Sequence, residues 1–180
     1  MYEIAAQAVG IVAMLFNILS FQRKTARGVI AFQLMGGLLF SVNFFMLGAY
    51  IGGILNAIGV VRAILFLEKD RFRTDHILWL YAFVVLYLIS YALTFTVFGK
   101  EPTVWNFLIE CLPVIGMTAS SISFRYDKAS VIRKYGLVSS CSWLIYNGFA
   151  AAVGAILCEV FSLFSIGLAM YRYDRKKPAA

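Results

Sequence analysis

Long apolar segments, separated by short polar or basic stretches, run through the whole sequence. Seven of them approach the about 20 mostly apolar residues that a helix needs to cross a bilayer. A few glycines and alanines alone separate the second segment from the third, and the sixth from the seventh. The pattern therefore predicts seven transmembrane helices with two very tight helical hairpins. The predicted spans are 4–22, 28–47, 50–67, 76–98, 104–124, 131–149 and 152–171.

Composition agrees with a helix bundle that faces lipid. The 180 residues are 62% hydrophobic and 14% charged, with a mean hydropathy of +0.83. A soluble domain of this composition could not cover its surface with polar groups. We therefore expect an integral membrane protein whose first partner is the lipid bilayer. The start of the chain lacks a basic region, so no cleavable signal peptide is expected.

Basic residues collect on one predicted face of the membrane. The formal net charge of +7 comes from short clusters between apolar segments, which is typical of orientation signals and not of nucleic-acid binding. Lys100 alone falls on the other face, and Arg62 lies within a span. This asymmetry predicts an outside amino terminus and an inside carboxyl terminus. The residues on the predicted cytoplasmic face are Arg23, Lys24, Arg27, Lys69, Arg71, Arg73, Arg125, Lys128, Arg133, Lys134, Arg172, Arg175, Lys176 and Lys177.

One short phrase occurs twice in the chain. Residues 16–24 read FNILSFQRK and residues 119–127 read ASSISFRYD, 103 positions apart. The second and third spans align with the sixth and seventh at nearly the same shift, and the fourth span is a single extra crossing. That crossing gives both three-helix units the same orientation, so the repeats are related by an axis along the membrane normal.

The predicted fold is therefore an all-α membrane protein with seven transmembrane helices in a 3+1+3 order. Residues 1–75 form the first three-helix repeat, and residues 76–103 form the linker helix. Residues 104–180 form the second, parallel repeat with a basic cytoplasmic tail.

Three motifs carry a resemblance to a known family. NAIGVVRAI at 56–64, LPVIG at 112–116 and WLIYNGFAAAVGAILCE at 143–159 resemble the bacterial inner-membrane YgjV family over essentially the whole chain. The 3+1+3 order resembles, more widely, the SWEET, SemiSWEET, PQ-loop and PnuC transporters. This resemblance implies an inner-membrane location, solute transport between two half-bundles and, by analogy, homo-oligomers. Gly10 stands opposite Pro113 in the repeat, and neither copy has a proline-glutamine pair, so matched proline hinges are not expected.

Three charged residues lie well inside predicted spans, away from the basic residues at the span ends: Arg62, Glu110 and Glu159. A charge at the helix centre costs about 2.5–3.5 kcal/mol on insertion scales, so such residues face a bundle interior or a wet cavity and find partners. Glu159 directly follows Cys158, which aligns with Asn56, so both are expected near the interface of the half-bundles. Glu159 is either a substrate or proton site or a structural carboxyl. Arg62 is expected to pair with Glu159 or Glu110, or to snorkel to the surface.

Further candidate residues are a glutamate beside a proline within a span and two asparagines at matching positions of the repeat. Glu110 precedes Pro113 by one turn, and the proline removes a backbone donor. Glu110 therefore either binds or gates a ligand beside a locally opened helix, or reaches outer water. Asn43 and Asn147 are matched across the repeat, and either line the pathway or cap the tight turns that follow.

No enzyme chemistry can be assembled from the sequence. His76 is the only histidine, and the three cysteines lie in apolar segments without metal-ligand spacing, so no catalytic site, metal or cofactor is expected.

The favoured interpretation is a transporter or facilitator for a small polar solute, with a proton as the candidate coupling ion, working by alternating access. A non-transporting scaffold, receptor or assembly factor is the alternative, and a dry, fully packed interior would favour it. The candidate binding or coupling residues are Glu159, Asn56, Glu110, Arg62, Asn43 and Asn147, with Pro113 for gating.

Overall fold

The computed structural model describes residues 2–46, 50–149 and 153–175 of the chain, and all regular structure within these ranges is helical. A π-helical turn, Met170–Asp174, continues the last α-helix. The α-helices are α1 (Tyr2–Ser20), α2 (Ala26–Met46), α3 (Tyr50–Leu67), α4 (Lys69–Phe72), α5 (Ile77–Thr96), α6 (Val104–Phe124), α7 (Ala129–Phe149) and α8 (Val153–Ala169).

The helices follow the predicted segments with small changes. α2 and α7 each begin two residues before the predicted boundary, and the last helix extends to Asp174 through its π-helical turn. The short helix α4 was not predicted. It ends at Phe72, and the following Arg73, whose φ of 50° is left-handed, redirects the chain into α5. The predicted hairpin turns, at 48–50 and 148–152, fall largely on residues 47–49 and 150–152, which lie outside the described residues.

The lipid-facing character of the bundle is evident from length and exposure. Large apolar side chains are exposed along the helices, including Val104 at 78% and Phe164 at 72%, which a bilayer accommodates and water does not. The apolar stretches of α1 and α3, Ala5–Ser20 and Gly53–Leu67, are shorter than those of the other long apolar helices. The apolar character of α7 is interrupted by serines. The chain is therefore an all-helical membrane protein. Within the described residues, the helices long and apolar enough to cross a membrane are the four at Ala26–Met46, Ile77–Thr96, Val104–Phe124 and Gly154–Asp174.

The long helices pack in two triplets. α2 packs against α1 and α3, and α7 packs against α6 and α8, while α5 lies mainly against α6. The triplets meet through three pairs: α1 with α8, α2 with α7, and α3 with α6. A two-fold axis would exchange α1, α2 and α3 with α6, α7 and α8. This exchange converts the α1–α8 pair into the α3–α6 pair and leaves the α2–α7 pair unchanged, as observed.

The doubled phrase forms the same turn in both places. In each copy the serine hydroxyl donates to the carbonyl oxygen three residues earlier, and two backbone N–H groups close the helix end with bonds of the same spacing. The phenylalanine that follows the serine is buried in both copies, at 4% exposure for Phe21 and 2% for Phe124. The side-chain bonds are Ser20 to Asn17 (2.6 Å) and Ser123 to Ser120 (2.7 Å); the backbone bonds are Gln22 to Leu19, Arg125 to Ile122, Arg23 to Ser20 and Tyr126 to Ser123.

An aromatic core fixes α5 to the meeting point of α3 and α6. The rings of Phe66 and Phe83 lie 6.4 Å apart, and those of Phe66 and Phe124 lie 6.0 Å apart with their planes at 75°. Such tilted and edge-to-face contacts are preferred between aromatic rings. Tyr87 continues this core along α5 at 1% exposure.

Candidate functional site

A cavity of about 200 Å³ lies between the two helix triplets. Since one water needs about 10–15 Å³ by this kind of measure, the cavity has room for several waters or a small solute. α1, α2, α3, α6, α7 and α8 all contribute to its wall, whereas α5 contributes none of the described lining residues. Its charged lining residues are Arg62 and Glu159. Its other polar lining residues are Asn17, Gln33, Asn56, Ser120, Ser123, Ser139, Ser140 and Asn147, and its aromatic ones are Phe21, Phe40, Phe44, Phe124 and Trp143.

Positions that align across the repeat line this cavity in pairs. In each copy of the doubled phrase, the second and the sixth residues line the cavity. The third helix of each triplet, α3 or α8, also contributes one residue at an aligned position. The aligned lining pairs are Asn17 with Ser120, Phe21 with Phe124, and Asn56 with Cys158.

Glu159 provides the carboxylate of the cavity. It lies on α8, partly buried, and the Ser140 hydroxyl on α7 is positioned to donate a hydrogen bond to it. Ser140, Trp143 and Asn147 stand three and four residues apart and therefore share the cavity face of α7. Among the described residues, no lysine, arginine or histidine nitrogen lies within 4 Å of the Glu159 carboxylate.

Arg62 provides the guanidinium of the cavity and is 7% exposed. Its Nη1 contacts the Tyr87 hydroxyl at 3.1 Å, the Met117 carbonyl oxygen at 3.0 Å and the Ser121 hydroxyl at 3.2 Å. Its guanidinium carbon lies 4.9 Å from the centre of the Phe124 ring. Arg62 thus connects α3 to α5 and α6 through neutral oxygens and an aromatic face.

The expected ion pair of Arg62 with Glu159 or Glu110 is wrong. Within the described part of the chain no carboxylate oxygen lies within 4 Å of its guanidinium. The reason is the direction of the side chain, since at this depth α3 faces α5 and α6. Burial also shows that Arg62 does not snorkel to the surface.

Glu110 belongs to a different place in the fold. Its carboxylate, with a side-chain exposure of 8%, forms an ion pair with the ammonium of Lys100 in the loop between α5 and α6. Neither residue is among those that line the cavity. Pro113 is buried inside α6, which is helical throughout Val104–Phe124. The structure therefore does not bring Glu110 and Pro113 together with Glu159.

The matched amides Asn43 and Asn147 have different surroundings. Asn43 is 6% exposed, and its Nδ2 donates to the Ala6 carbonyl oxygen at 2.7 Å, which ties α2 to α1. A Cβ added at Gly10 would lie 3.0 Å from that Nδ2, so a small residue is needed there. Asn147 instead lines the cavity. The sequence alignment matched these positions and favoured a shared role, but the structure gives them different surroundings.

Arg133 is a buried, bonded charge that the sequence analysis did not single out. It was counted with a basic cytoplasmic loop, but it lies on α7 at 1% exposure. It donates to the carbonyl oxygens of Phe21 at 3.0 Å and Arg23 at 2.5 Å, and to Asp174 Oδ1 at 2.5 Å. These bonds tie the end of α1 to α7 and to the end of α8. Its spacing from Gly136, on the buried face of α7, was the signal that could have found it.

A polar seam joins α1 to α8 beside the cavity. The Asn17 side chain donates to the Ser162 hydroxyl at 3.3 Å. Gln22 Nε2 donates to the Ser165 hydroxyl at 2.9 Å, and that hydroxyl donates to the Ile18 carbonyl oxygen at 2.7 Å. Serines at 162 and 165 were not singled out in the sequence, because a serine in a span is often satisfied by its own helix.

The side chains of the cavity wall offer several kinds of polar contact to a ligand. The cavity offers one carboxylate, one guanidinium, amides, hydroxyls and aromatic faces, which can recognise a small polar molecule. No three His, Cys, Asp or Glu side chains in the described ranges are grouped so that they could hold a metal ion.

Comparison with known proteins places the chain in a family. The sequence model of Imp-YgjV, described as a bacterial inner membrane protein, matches residues 4–177. The chain is 28% identical over 171 residues to the inner membrane protein YgjV of Escherichia coli strain K12, covering 94% of this chain and 85% of that protein. No solved structure matches. Because the family match extends over nearly all of the helical chain described above, this protein belongs to the YgjV family of bacterial inner membrane proteins.

Proposed function

We propose that this protein is a transporter or facilitator for a small polar solute, which crosses the membrane through the cavity between the two triplets. The observation that carries the proposal is the cavity itself, a space of about 200 Å³ inside a membrane protein whose mainly apolar wall carries two charged side chains and several polar ones. A scaffold gains nothing from such a space, because unfilled volume forfeits packing contacts. Charged side chains inside a membrane domain usually mark a solute or ion pathway.

The way the triplets meet supports alternating access between two half-bundles in a 3+1+3 fold. The helices within each triplet pack closely, whereas the triplets join through one helix pair on each side and one in the middle. Rigid units around a central site can rock against each other and open it to either side in turn. The proposal keeps the predicted orientation, with the basic helix ends on the cytoplasmic side.

The proposed roles of the candidate residues follow their positions. Glu159, Asn56, Asn147 and Arg62 line the cavity and would contact the solute. Asn43 and Glu110 would act on stability, since each is engaged by another part of the protein.

Neighbouring positions on α8 allow a matched test. Ala155 lines the cavity, whereas Gly154 is exposed and has nothing within 4 Å of an added Cβ. Ala155→Phe would fill the pathway, and Gly154→Phe would place the same ring toward lipid. Both variants and the wild type are purified and reconstituted into liposomes. Counterflow uptake of labelled glucose, uridine, thiamine, alanine, lysine and spermidine is then measured.

We expect at least one of these probes to accumulate with the wild type and with Gly154→Phe, and not with Ala155→Phe. Equal uptake by the two variants would overturn the assignment of the cavity as the pathway. Uptake of every probe at the rate of protein-free liposomes, with all three proteins equally folded, would favour the scaffold.

A further inference from the structure

The two charges of the cavity are not neutralised by each other or by any other charged group that the structure describes. Arg62 and Glu159 line the same space from different triplets, on α3 and α8. Among the residues that the structure describes, neither forms an ion pair within 4 Å, whereas Lys69, Lys100 and Arg133 all have carboxylate partners. A buried charge without a counter-ion is costly. A ligand that supplied the missing counter-charges would therefore be favoured in this cavity.

The hydrogen bonds of Arg62 leave part of its guanidinium available. Nη1 carries two protons, and its three acceptors are a phenol, a backbone carbonyl and a serine hydroxyl, all neutral. Nε is buried and has no acceptor, and Nη2 donates to none of the described residues. A carboxylate is the group that best satisfies the remaining N–H donors, because it accepts two parallel bonds from a guanidinium.

Glu159 is the acidic counterpart of Arg62, and its described hydrogen-bond partner is also a neutral group. The Ser140 hydroxyl is its neutral partner, and the cavity wall around it carries the Asn147 amide and the Trp143 ring. An ammonium group near this carboxylate would gain an ion pair together with contacts to aromatic faces, which attract cations.

We propose that the cavity recognises a zwitterion, with the ligand ammonium at Glu159 and the ligand carboxylate at Arg62. This inference rests on the proposed function and names the class of solute. A zwitterion satisfies both buried charges at once while keeping the total charge of the occupied site unchanged. A plain amine leaves Arg62 without a counter-ion, a plain carboxylate leaves Glu159 without one, and a sugar leaves both.

A series of ω-amino acids tests this directly, because it varies the distance between the two charges. The probes are glycine, β-alanine, 4-aminobutyrate, 5-aminopentanoate and 6-aminohexanoate, with pentylamine, pentanoate and glucose as controls. Binding to the purified protein is measured by the shift in melting temperature as each probe is titrated. We expect one chain length to bind best. Removing either ligand charge should weaken binding by about 10- to 100-fold, the loss expected for a charge-assisted hydrogen bond.

Variants then separate the two ends of the ligand. Glu159→Gln should weaken the best zwitterion and leave pentanoate unchanged. Glu68→Gln, an exposed carboxylate whose side chain is 50% accessible, is the matched control and should change neither. Arg62→Gln risks loss of folding because Arg62 connects three helices. Arg62→Lys, which keeps the charge but loses bidentate geometry, is the second variant and should weaken pentanoate and the zwitterion together.

The outcomes distinguish this inference from the proposed function. The zwitterion proposal would be overturned if pentylamine or glucose bound as tightly as every zwitterion and Glu159→Gln changed nothing. Transport would still be supported in that case by a difference in flux of another probe between Ala155→Phe and Gly154→Phe. Absence of binding by the whole series, together with equal flux through both of those variants, would overturn both.

Discussion

Replacing Arg133 with methionine should destabilise the protein more than replacing any other basic residue near the start of α7. Methionine keeps much of the apolar stem but removes every donor of a guanidinium that is 1% exposed. The change leaves the Asp174 carboxylate, with a side-chain exposure of 15%, without its cation. It also leaves the carbonyl oxygens of Phe21 and Arg23 without this donor.

The expected magnitude follows from the burial of this ion pair. Breaking a buried pair by removing one partner costs about 3–5 kcal/mol, because an uncompensated charge stays behind. A chain of this size loses about 2–4 °C in melting temperature per kcal/mol, so Arg133→Met should melt about 6–20 °C lower. Lys134→Met is the control, since Lys134 is the exposed neighbour on the same helix and should melt near the wild-type temperature.

A double variant tests the physical reason as well as the size of the effect. In Arg133→Met with Asp174→Asn the unpaired carboxylate is gone, so the double variant should melt above Arg133→Met while staying below the wild type. Melting is followed in detergent by loss of the monodisperse peak after heating. The reasoning is refuted if Arg133→Met melts with Lys134→Met, or if the two substitutions are simply additive.

A further prediction concerns packing beside the cavity. Gly136→Ala should lower stability by about 1–3 kcal/mol through overpacking, since its Cβ would lie 2.9 Å from Cε1 of the buried Phe21 ring. Gly148→Ala on the same helix, with nothing within 4 Å, should not lower it, and equal melting temperatures would contradict the packing argument.

Local features of the fold were predictable from sequence because they depend on neighbouring residues. The lengths of the apolar segments predicted the long helices, apart from their first residues and the short helix α4. The doubled phrase predicted one turn in two places. The same bonds form at Ser20 and Ser123 because each reaches only three residues back along its own chain.

The partners of the charged side chains were not predictable in this way. The sequence singled out Arg62, Glu110 and Glu159, but the expected ion pair of Arg62 was wrong. Glu110 pairs with Lys100, which the sequence had treated as a lone charge in the outer loop. Each of these outcomes depends on which way a helix is rotated about its axis, and a rotation of one residue changes the neighbour.

What the sequence by itself determined about this protein is its medium, its helices, its doubled phrase and its family. The tertiary structure decided which polar residues meet: Asn147 lines the cavity while Asn43 binds α1, and Arg133 is buried while Lys134 is exposed. The physical reason is the bilayer. In a soluble helix the apolar face marks the inside, but lipid and protein interior are equally apolar, so hydrophobic periodicity cannot say which face of a membrane helix points inward.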